Sequence, residues 1–363
     1  MSWLSELARA DIRALSPYQH ARWEPGLVRL HANELPWRAP CDESQAGLNR
    51  YPEPHPHELE SRLALLYGVD AAWLLAGRGS DEAIDLLTRC FCQASRDAVL
   101  ITPPTFGMYA VCARIQGAAV VEVPLRRETG FSFDLPAVRA ALTQRDWVAK
   151  REGAVGPVKL VYLCAPNNPT GNSPAAATVL ALARELEGRA LLVVDEAYVE
   201  FSEHASLIQE MRHYPALVIL RTLSKAYGLA GARCGAVIAA PEIIDLLRTI
   251  IPPYALAQLS IEAVFRTLQA DHLAVAAERV GTIKRERERL AQALRLKGEV
   301  LKVWPSEANF LLVDFSDPGA VLERAHTAGL LVRDLRGSVG LHPSLRISVG
   351  TREHNEQLLA SLS

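Results

Sequence analysis

The chain has 363 residues, of which 49% are hydrophobic and 22% are charged, a composition typical of globular proteins that excludes wholesale disorder. Its length corresponds to about two domains. The 39 basic and 41 acidic residues give a net charge of −2, so electrostatics gives no reason to expect nucleic acid or a membrane surface as a partner. Apolar runs all fall short of the roughly 20 residues that span a bilayer.

Six cysteines are scattered along the chain without a C-x-x-C pair, a spacing that predicts neither a disulfide framework nor a metal site. The N-terminal segment carries Glu6 and Asp11 within its apolar pattern, unlike a signal or transit peptide. We therefore expect a soluble cytoplasmic protein.

Residues 1–35 predict a short amphipathic helix and an irregular, proline-interrupted arm. Over residues 36–255, helical patterns such as His57–Tyr67 and Ala175–Leu186 alternate with nearly continuous apolar runs. Such runs are typical of strands buried on both faces, so we expect a large α/β domain with a mostly parallel sheet and helices on both faces. The predicted strands are Val99–Ile101, Val158–Cys164, Leu191–Val194, Leu217–Leu220 and Gly235–Ala239.

Residues 256–363 predict a smaller C-terminal α/β domain. A long helical stretch ends in the charged segment Lys284–Arg295. Weaker strand signals follow at Phe310–Val313, Leu330–Val332 and Leu345–Val349. The N-terminal arm is expected to complete this domain and the functional site.

Polar residues follow the predicted strands, where ligands bind in sheets of this kind. The loop that begins at Gly77 opens a helix that Ser80 is expected to cap, and the free amides of such a helix form a phosphate site. As a dinucleotide fingerprint this loop is weak, because Glu82 replaces the third glycine. A capped helix after a tight turn explains the loop equally well.

Four further residues are candidates for a functional role. Asn168 lies in a turn after a strand, where its amide can donate to a bound ring oxygen. Asp195 ends a buried strand, where a carboxylate needs a salt bridge, a cap or a protonated heterocyclic nitrogen. Lys225 lies among hydroxyls and small residues, where desolvation lowers the ammonium pKa and makes the amine nucleophilic, and Arg233 supplies a fork for a phosphate.

Each of these features has a structural alternative, but together they meet the needs of one cofactor. Pyridoxal phosphate requires a lysine for its aldehyde, a carboxylate for its ring nitrogen, donors for its phenolate oxygen and a cup for its phosphate. We therefore predict that the chain binds pyridoxal 5'-phosphate.

The sequence resembles the fold type I aminotransferases, and within them the histidinol-phosphate aminotransferase family. The matching motifs occur in family order along nearly the whole chain: NRYPEP (49–54), GRGSDEAIDLL (77–87), PPTFGMY (103–109), PNNPTG (166–171), VVDEAYVEF (193–201), RTLSKAYGLAGARCG (221–235) and LRISVGTRE (345–353). The resemblance implies transfer of an amino group from L-histidinol phosphate to 2-oxoglutarate, giving imidazole acetol phosphate and L-glutamate in histidine biosynthesis.

The resemblance also implies residue roles. Lys225 binds the cofactor aldehyde and moves a proton, and Asp195 pairs with the pyridine nitrogen. Tyr198 and Asn168 bind the phenolate oxygen, and Phe106 stacks on the ring where the family usually has a tyrosine. The implied phosphate contacts are Ser80, Asp81, Thr222, Ser224, Arg233 and, from the neighbouring subunit of a homodimer, Tyr51.

The implied substrate contacts lie at both ends of the chain. In the segment Leu345–Val349, alternation places Arg346 on the face opposite three aliphatic residues. Arg346 is expected to bind the anionic end of the substrate, with help from Arg333, although a surface ion pair would explain either arginine. Tyr18 and Asn33 are the substrate contacts expected from the N-terminal arm.

Other functions remain open at this point. The first is a decarboxylating lyase with the same fold and cofactor that acts on a phosphorylated amino acid such as threonine phosphate. The second is an aminotransferase for aromatic amino acids. A non-catalytic module is disfavoured by the intact set of polar residues, and a nicotinamide dehydrogenase by the incomplete glycine pattern.

Overall fold

The computed structural model describes residues 2–24, 26–143 and 156–362. Within them, seven strands form the first sheet: β1 (Leu74–Gly77), β2 (Ala98–Ile101), β3 (Ala119–Glu122), β4 (Val158–Cys164), β5 (Leu191–Asp195), β6 (Leu217–Thr222) and β7 (Gly235–Ile238). Their order is β1-β7-β6-β5-β4-β2-β3. Only β7 runs antiparallel to its neighbours, so the predicted mostly parallel sheet is confirmed.

Helices cover both faces of this sheet. Strand residues alternate between the two faces, as Leu192 and Leu191 of β5 do, and neither face of the strand reaches solvent. On one face lie α3 (His57–Tyr67), α6 (Leu135–Thr143), α7 (Ala176–Leu186) and α9 (Gln258–Thr267). On the other lie α1 (Trp3–Leu7), α2 (Ala10–Arg13), α4 (Ser80–Phe91), α5 (Met108–Gln116) and α8 (Pro241–Ile250).

A second, antiparallel sheet is built from β8 (Val300–Val303), β9 (Phe310–Phe315), β10 (Arg333–Asp334) and β11 (Ser344–Ser348), in the order β10-β11-β9-β8. Its core packs against α10 (Ala270–Leu294), α11 (Pro318–Thr327) and α12 (Arg352–Ser361). The α/β class predicted for the C-terminal part is therefore confirmed.

One strand prediction is wrong. The apolar run Leu330–Val332 is not a strand, because Leu330 N–H donates to Ala325 O (2.8 Å) and ends α11 at the left-handed Gly329 (φ 78°). The strand β10 begins only after this turn, and its first residue is Arg333.

Side chains and backbone tie the second sheet to the first. Arg127 Nη2 donates to Asp314 Oδ2 (2.7 Å), which also accepts from Trp304 Nε1 (3.0 Å). Glu307 N–H donates to Gly171 O (2.7 Å) in the turn after β4. These contacts hold β9 and β11 beside the carboxyl ends of the parallel strands.

Candidate active site

A cavity of about 870 Å³ opens at the carboxyl ends of β1, β4, β5 and β6. Three of these strands are adjacent and parallel, so the residues that follow them meet at one sheet edge. The sequence-predicted residues that line the cavity are Ser80, Asp81, Phe106, Asn168, Asp195, Tyr198, Thr222, Ser224, Lys225, Arg233, Arg333 and Arg346.

Asp195 is the last residue of β5 and is 2% exposed. Its Oδ2 accepts from Tyr109 Oη (2.8 Å) and its Oδ1 from Ala197 N–H (3.1 Å). Burial raises the pKa of Asp195 to about 6 although both hydrogen bonds oppose this rise. Within the described ranges, no Lys, Arg or His forms an ion pair with this carboxylate, so it lacks the cation that its burial requires.

Lys225 follows β6 in the turn that begins at Thr222, where Ser224 N–H donates to Thr222 Oγ1 (3.2 Å). Its Nζ lies 5.7 Å from the centroid of the Tyr198 ring. The expected desolvation of the amine is incomplete, because Lys225 is exposed. The surrounding protein, followed by the charge of Arg346, nevertheless lowers the pKa of Lys225.

Asn168 links the turn after β4 to both the cavity wall and the second sheet. Its Nδ2 donates to Tyr198 Oη (3.4 Å), and Arg346 Nη1 donates to its Oδ1. The turn also passes close to the second sheet at Gly171, where a Cβ would lie 2.4 Å from Ser306 Oγ. The left-handed φ of Gly171 (80°) and this close approach both explain why the turn has a glycine.

The first turn of α4 forms the end of the cavity near β1. Gly79 (φ 80°) precedes the helix, and Arg233 Nη2 lies 3.0 Å from the position of a Cβ there. Arg233 donates to Asp81 Oδ2 (3.0 Å) and Ser224 Oγ (3.3 Å). The predicted cap is wrong: α4 begins at Ser80 itself, Gly79 is the N-cap, and no side chain caps the helix.

Arg333 and Arg346 are cross-strand partners on β10 and β11. Arg346 is half-buried, whereas the neighbouring aliphatic residues Leu345 and Ile347 are 0% and 3% exposed, which confirms the predicted alternation. Burial, reinforced by Arg333, lowers the pKa of Arg346. In the part of the chain that the structure describes, neither arginine has a carboxylate partner within ion-pair distance, and so the pair offers an anion site at the cavity.

Three predicted residues of the N-terminal region do not line the cavity. Tyr18 is 72% exposed and Asn33 is also exposed, with a left-handed φ of 56°. Tyr51 is 51% exposed and packs on Tyr254, with ring centroids 4.7 Å apart. A single chain therefore leaves these three side chains outside the site.

Sequence reasoning missed Tyr109, which is fully buried and contacts Asp195. Phe106 is half-buried at the cavity wall, and its ring meets that of Tyr109 edge-on at 5.6 Å. The motif PPTFGMY contains both aromatic residues, but Phe106 precedes Gly107, the N-cap of α5, so helical spacing could not have placed Tyr109 beside Asp195.

The sequence profile of the family described as "Aminotransferase class I and II" matches residues 29–362. The chain belongs to this family and is an aminotransferase. The histidinol-phosphate aminotransferase of Stenotrophomonas maltophilia (strain R551-3) is 47% identical over 360 residues, which cover 98% of this chain and 96% of that relative. The resemblance to the histidinol-phosphate aminotransferases that the motifs indicated is therefore confirmed.

Solved structures agree on the fold. Histidinol-phosphate aminotransferase from Sinorhizobium meliloti, in complex with pyridoxal-5'-phosphate, is 27% identical with a TM-score of 0.74, covering 86% of this chain and 82% of that chain. L-Threonine-O-3-phosphate decarboxylase from Porphyromonas gingivalis is 22% identical with a TM-score of 0.70, covering 86% and 90%. Since the decarboxylase also has this fold, the fold alone does not select the reaction.

Proposed function

We propose that this chain uses pyridoxal 5'-phosphate to transfer the amino group of L-histidinol phosphate to 2-oxoglutarate, giving imidazole acetol phosphate and L-glutamate. The observation that carries the proposal is one cavity that combines Lys225, the buried Asp195 and the arginine pair Arg333 and Arg346. The 47% identity to a relative named for this activity supports the substrate.

The residues of the cavity fit the cofactor. Asp195 is a buried carboxylate without a cation, which suits a protonated ring nitrogen. At the other end, the free amides of the first turn of α4 and the guanidinium of Arg233 suit a phosphate. We assign this phosphate to Ser80, Asp81, Thr222, Ser224 and Arg233.

When bound, the cofactor supplies an aldehyde that condenses with amines and a ring that withdraws electrons from the substrate Cα. Lys225 Nζ would hold the aldehyde until the amine of the substrate replaces it there, and the freed Nζ would then take the proton from Cα. The lowered pKa of Lys225 increases the fraction of neutral amine available for this. Asp195 holds the proton on the ring nitrogen. Tyr198 Oη and Asn168 Nδ2 bind the ring oxygen, and Phe106 packs on the ring face.

Arg346 and Arg333 bind the anionic end of each substrate. A guanidinium fork accepts carboxylate and phosphate oxygens with similar geometry, so one pair serves both histidinol phosphate and glutamate. An anion between the two arginines also offsets their mutual repulsion across the β10–β11 pair.

We further propose a homodimer in which Tyr51 reaches the phosphate of the partner's site and the N-terminal arm brings Tyr18 and Asn33 to the substrate. The exposed positions of these three residues in one chain support this arrangement. The proposed division is an arm over residues 1–35, a cofactor-binding domain over 36–255 and a small domain over 256–363. No helix of the described segments is long and apolar enough to cross a membrane, and the cytoplasmic location stays a prediction.

The test is a pair of single-turnover titrations of the purified protein, followed by absorbance. Glutamate and histidinol phosphate should each convert bound pyridoxal phosphate to pyridoxamine phosphate. Release of CO₂ from threonine phosphate without this conversion would identify a decarboxylase, and faster conversion by an aromatic amino acid than by histidinol phosphate would identify the other rival. Absence of conversion by glutamate would refute transamination.

A further inference from the structure

Tyr109 contacts Asp195 from beneath the cavity. The residue lies in the first turn of α5 and its side chain is 0% exposed. Its Oη donates to Asp195 Oδ2 at 2.8 Å, while Ala197 N–H occupies Oδ1. Because each carboxylate oxygen can accept more than one hydrogen bond, this arrangement leaves Asp195 able to accept another from a ligand.

The ring of Tyr109 is held on two sides. Tyr162 stacks against it with centroids 4.7 Å apart and planes 6° apart, and Phe106 meets its edge at 5.6 Å. Tyr162 itself makes no hydrogen bond to Asp195, because its Oη contacts Thr88 Oγ1 (3.2 Å) and Ile84 O (3.3 Å). A ring held in this way keeps the hydroxyl oxygen of Tyr109 within hydrogen-bond distance of the carboxylate.

We propose that Tyr109 is a positioning residue for the cofactor: its hydroxyl orients the Asp195 carboxylate and keeps it ionised, so that the carboxylate can hold the protonated ring nitrogen. Phe106 lies just before α5 and Tyr109 in its first turn, so this one segment of chain supplies both the proposed ring-face contact and the support of the ring-nitrogen contact. The inference rests on the proposed cofactor but not on the identity of the amine substrate.

The surroundings of Asp195 indicate whether loss of the hydrogen bond from Tyr109 raises or lowers the pKa of this carboxylate. Desolvation raises the pKa of Asp195, and the hydrogen bond from Tyr109 is the largest effect that lowers it. The bond stabilises the ionised carboxylate, so its removal raises the pKa further above the value of about 6. Among the other charged groups nearby, Asp81 raises the pKa of Asp195 and Lys225 lowers it. The carboxylate of Asp195 in turn raises the pKa of the neutral side chains of Cys164 and Tyr198.

The test is the pH dependence of cofactor binding by the full-length chain, stripped of cofactor and titrated with pyridoxal 5'-phosphate between pH 5 and 8.5. In Tyr109→Phe, the pH at which affinity falls should move upward by about one pH unit relative to wild type, since a hydrogen bond to a charged group is removed. The dissociation constant should therefore rise about fivefold near pH 6 and by less than about threefold near pH 8.

Tyr162→Phe is the matched control, because it removes a buried phenol hydroxyl next to the same ring without touching Asp195. It should bind the cofactor with the wild-type pH dependence. Adding Tyr109→Phe to Asp195→Asn should leave the pH dependence of Asp195→Asn unchanged, because the titrating carboxylate is gone.

A purely structural role predicts a different pattern. In that case Tyr109→Phe would weaken binding equally at every pH, or Tyr162→Phe would show the same shift, and either result would overturn the inference. Failure of the wild-type chain to bind the cofactor at all would instead overturn the proposed function. Thermal unfolding of each stripped variant separates loss of fold from loss of binding.

Discussion

Replacing Arg346 by glutamine tests whether one guanidinium binds the anionic end of both substrates. Arg346 is half-buried at the cavity and its Nη1 donates to Asn168 Oδ1. Each hydrogen bond from a charged group contributes about 1.5–3 kcal/mol. The substitution removes both hydrogen bonds of the guanidinium to the substrate anion, and the glutamine amide replaces them only in part. Binding of the transition state should therefore weaken by about 3 kcal/mol, or roughly 150-fold in kcat/KM.

The effect should appear equally in the glutamate and histidinol phosphate half-reactions, measured by stopped-flow absorbance, and chiefly as weaker substrate binding. Arg346→Lys should recover part of the loss, because it restores the charge but not the fork. Stability should change by less than about 1 kcal/mol, since relief from repulsion by Arg333 offsets the lost bond to Asn168.

Arg114→Gln is the matched control, because Arg114 also borders the cavity but is paired with Glu122 (3.8 Å) at its outer edge. It should change kcat/KM by less than about threefold for either substrate, as expected for an exposed ion pair. A loss confined to one half-reaction in Arg346→Gln, or an equal loss in Arg114→Gln, would refute dual recognition by this arginine.

Four further outcomes are expected. Lys225→Ala should lower turnover by about 10⁴-fold in steady-state assays, and near-wild-type turnover would contradict its role as the base. Asp195→Asn should lower kcat by about 10³-fold, a loss below tenfold counting against it. Equal mixing of Lys225→Ala with Tyr51→Ala chains should restore about a quarter of wild-type activity if Tyr51 acts across a two-fold interface, whereas no gain would argue for action within one chain. Asp314→Ala should lower the free energy of unfolding by about 3 kcal/mol in urea titrations, since Arg127 loses a buried partner, and a cost below about 1 kcal/mol would contradict this.

Most of the first sheet is predictable from sequence because its strands are buried on both faces. The predicted strand Val158–Cys164 and helix His57–Tyr67 have the observed bounds. The wrong strand prediction at Leu330–Val332 arises because this run is not a strand buried on both faces. That run is short and follows a helix, and the hydrogen bond that ends α11 depends on Gly329, not on hydrophobicity.

The site is predictable as far as it follows strand ends. Asp195 comes directly after one apolar run and Lys225 shortly after the run Leu217–Leu220, and the parallel order of β5 and β6 brings them to one edge. Hydrophobic periodicity does not reveal which residue contacts a buried polar group such as Asp195. Tyr109 lies 86 residues from Asp195 along the chain, and only the packing of α5 under the sheet makes them neighbours.

The same physical requirement explains both the buried carboxylate and the arginine pair. Asp195 is buried without a cation, and Arg333 and Arg346 lie side by side without an anion among the described residues. Each arrangement opposes folding of the empty chain, because an uncompensated charge is retained at low dielectric or beside a like charge. Under the proposed function, a cofactor with a cationic ring nitrogen at Asp195 and a substrate with an anionic group at the arginines would relieve both. The proposed function therefore predicts that the empty chain is less stable than the chain with both ligands bound.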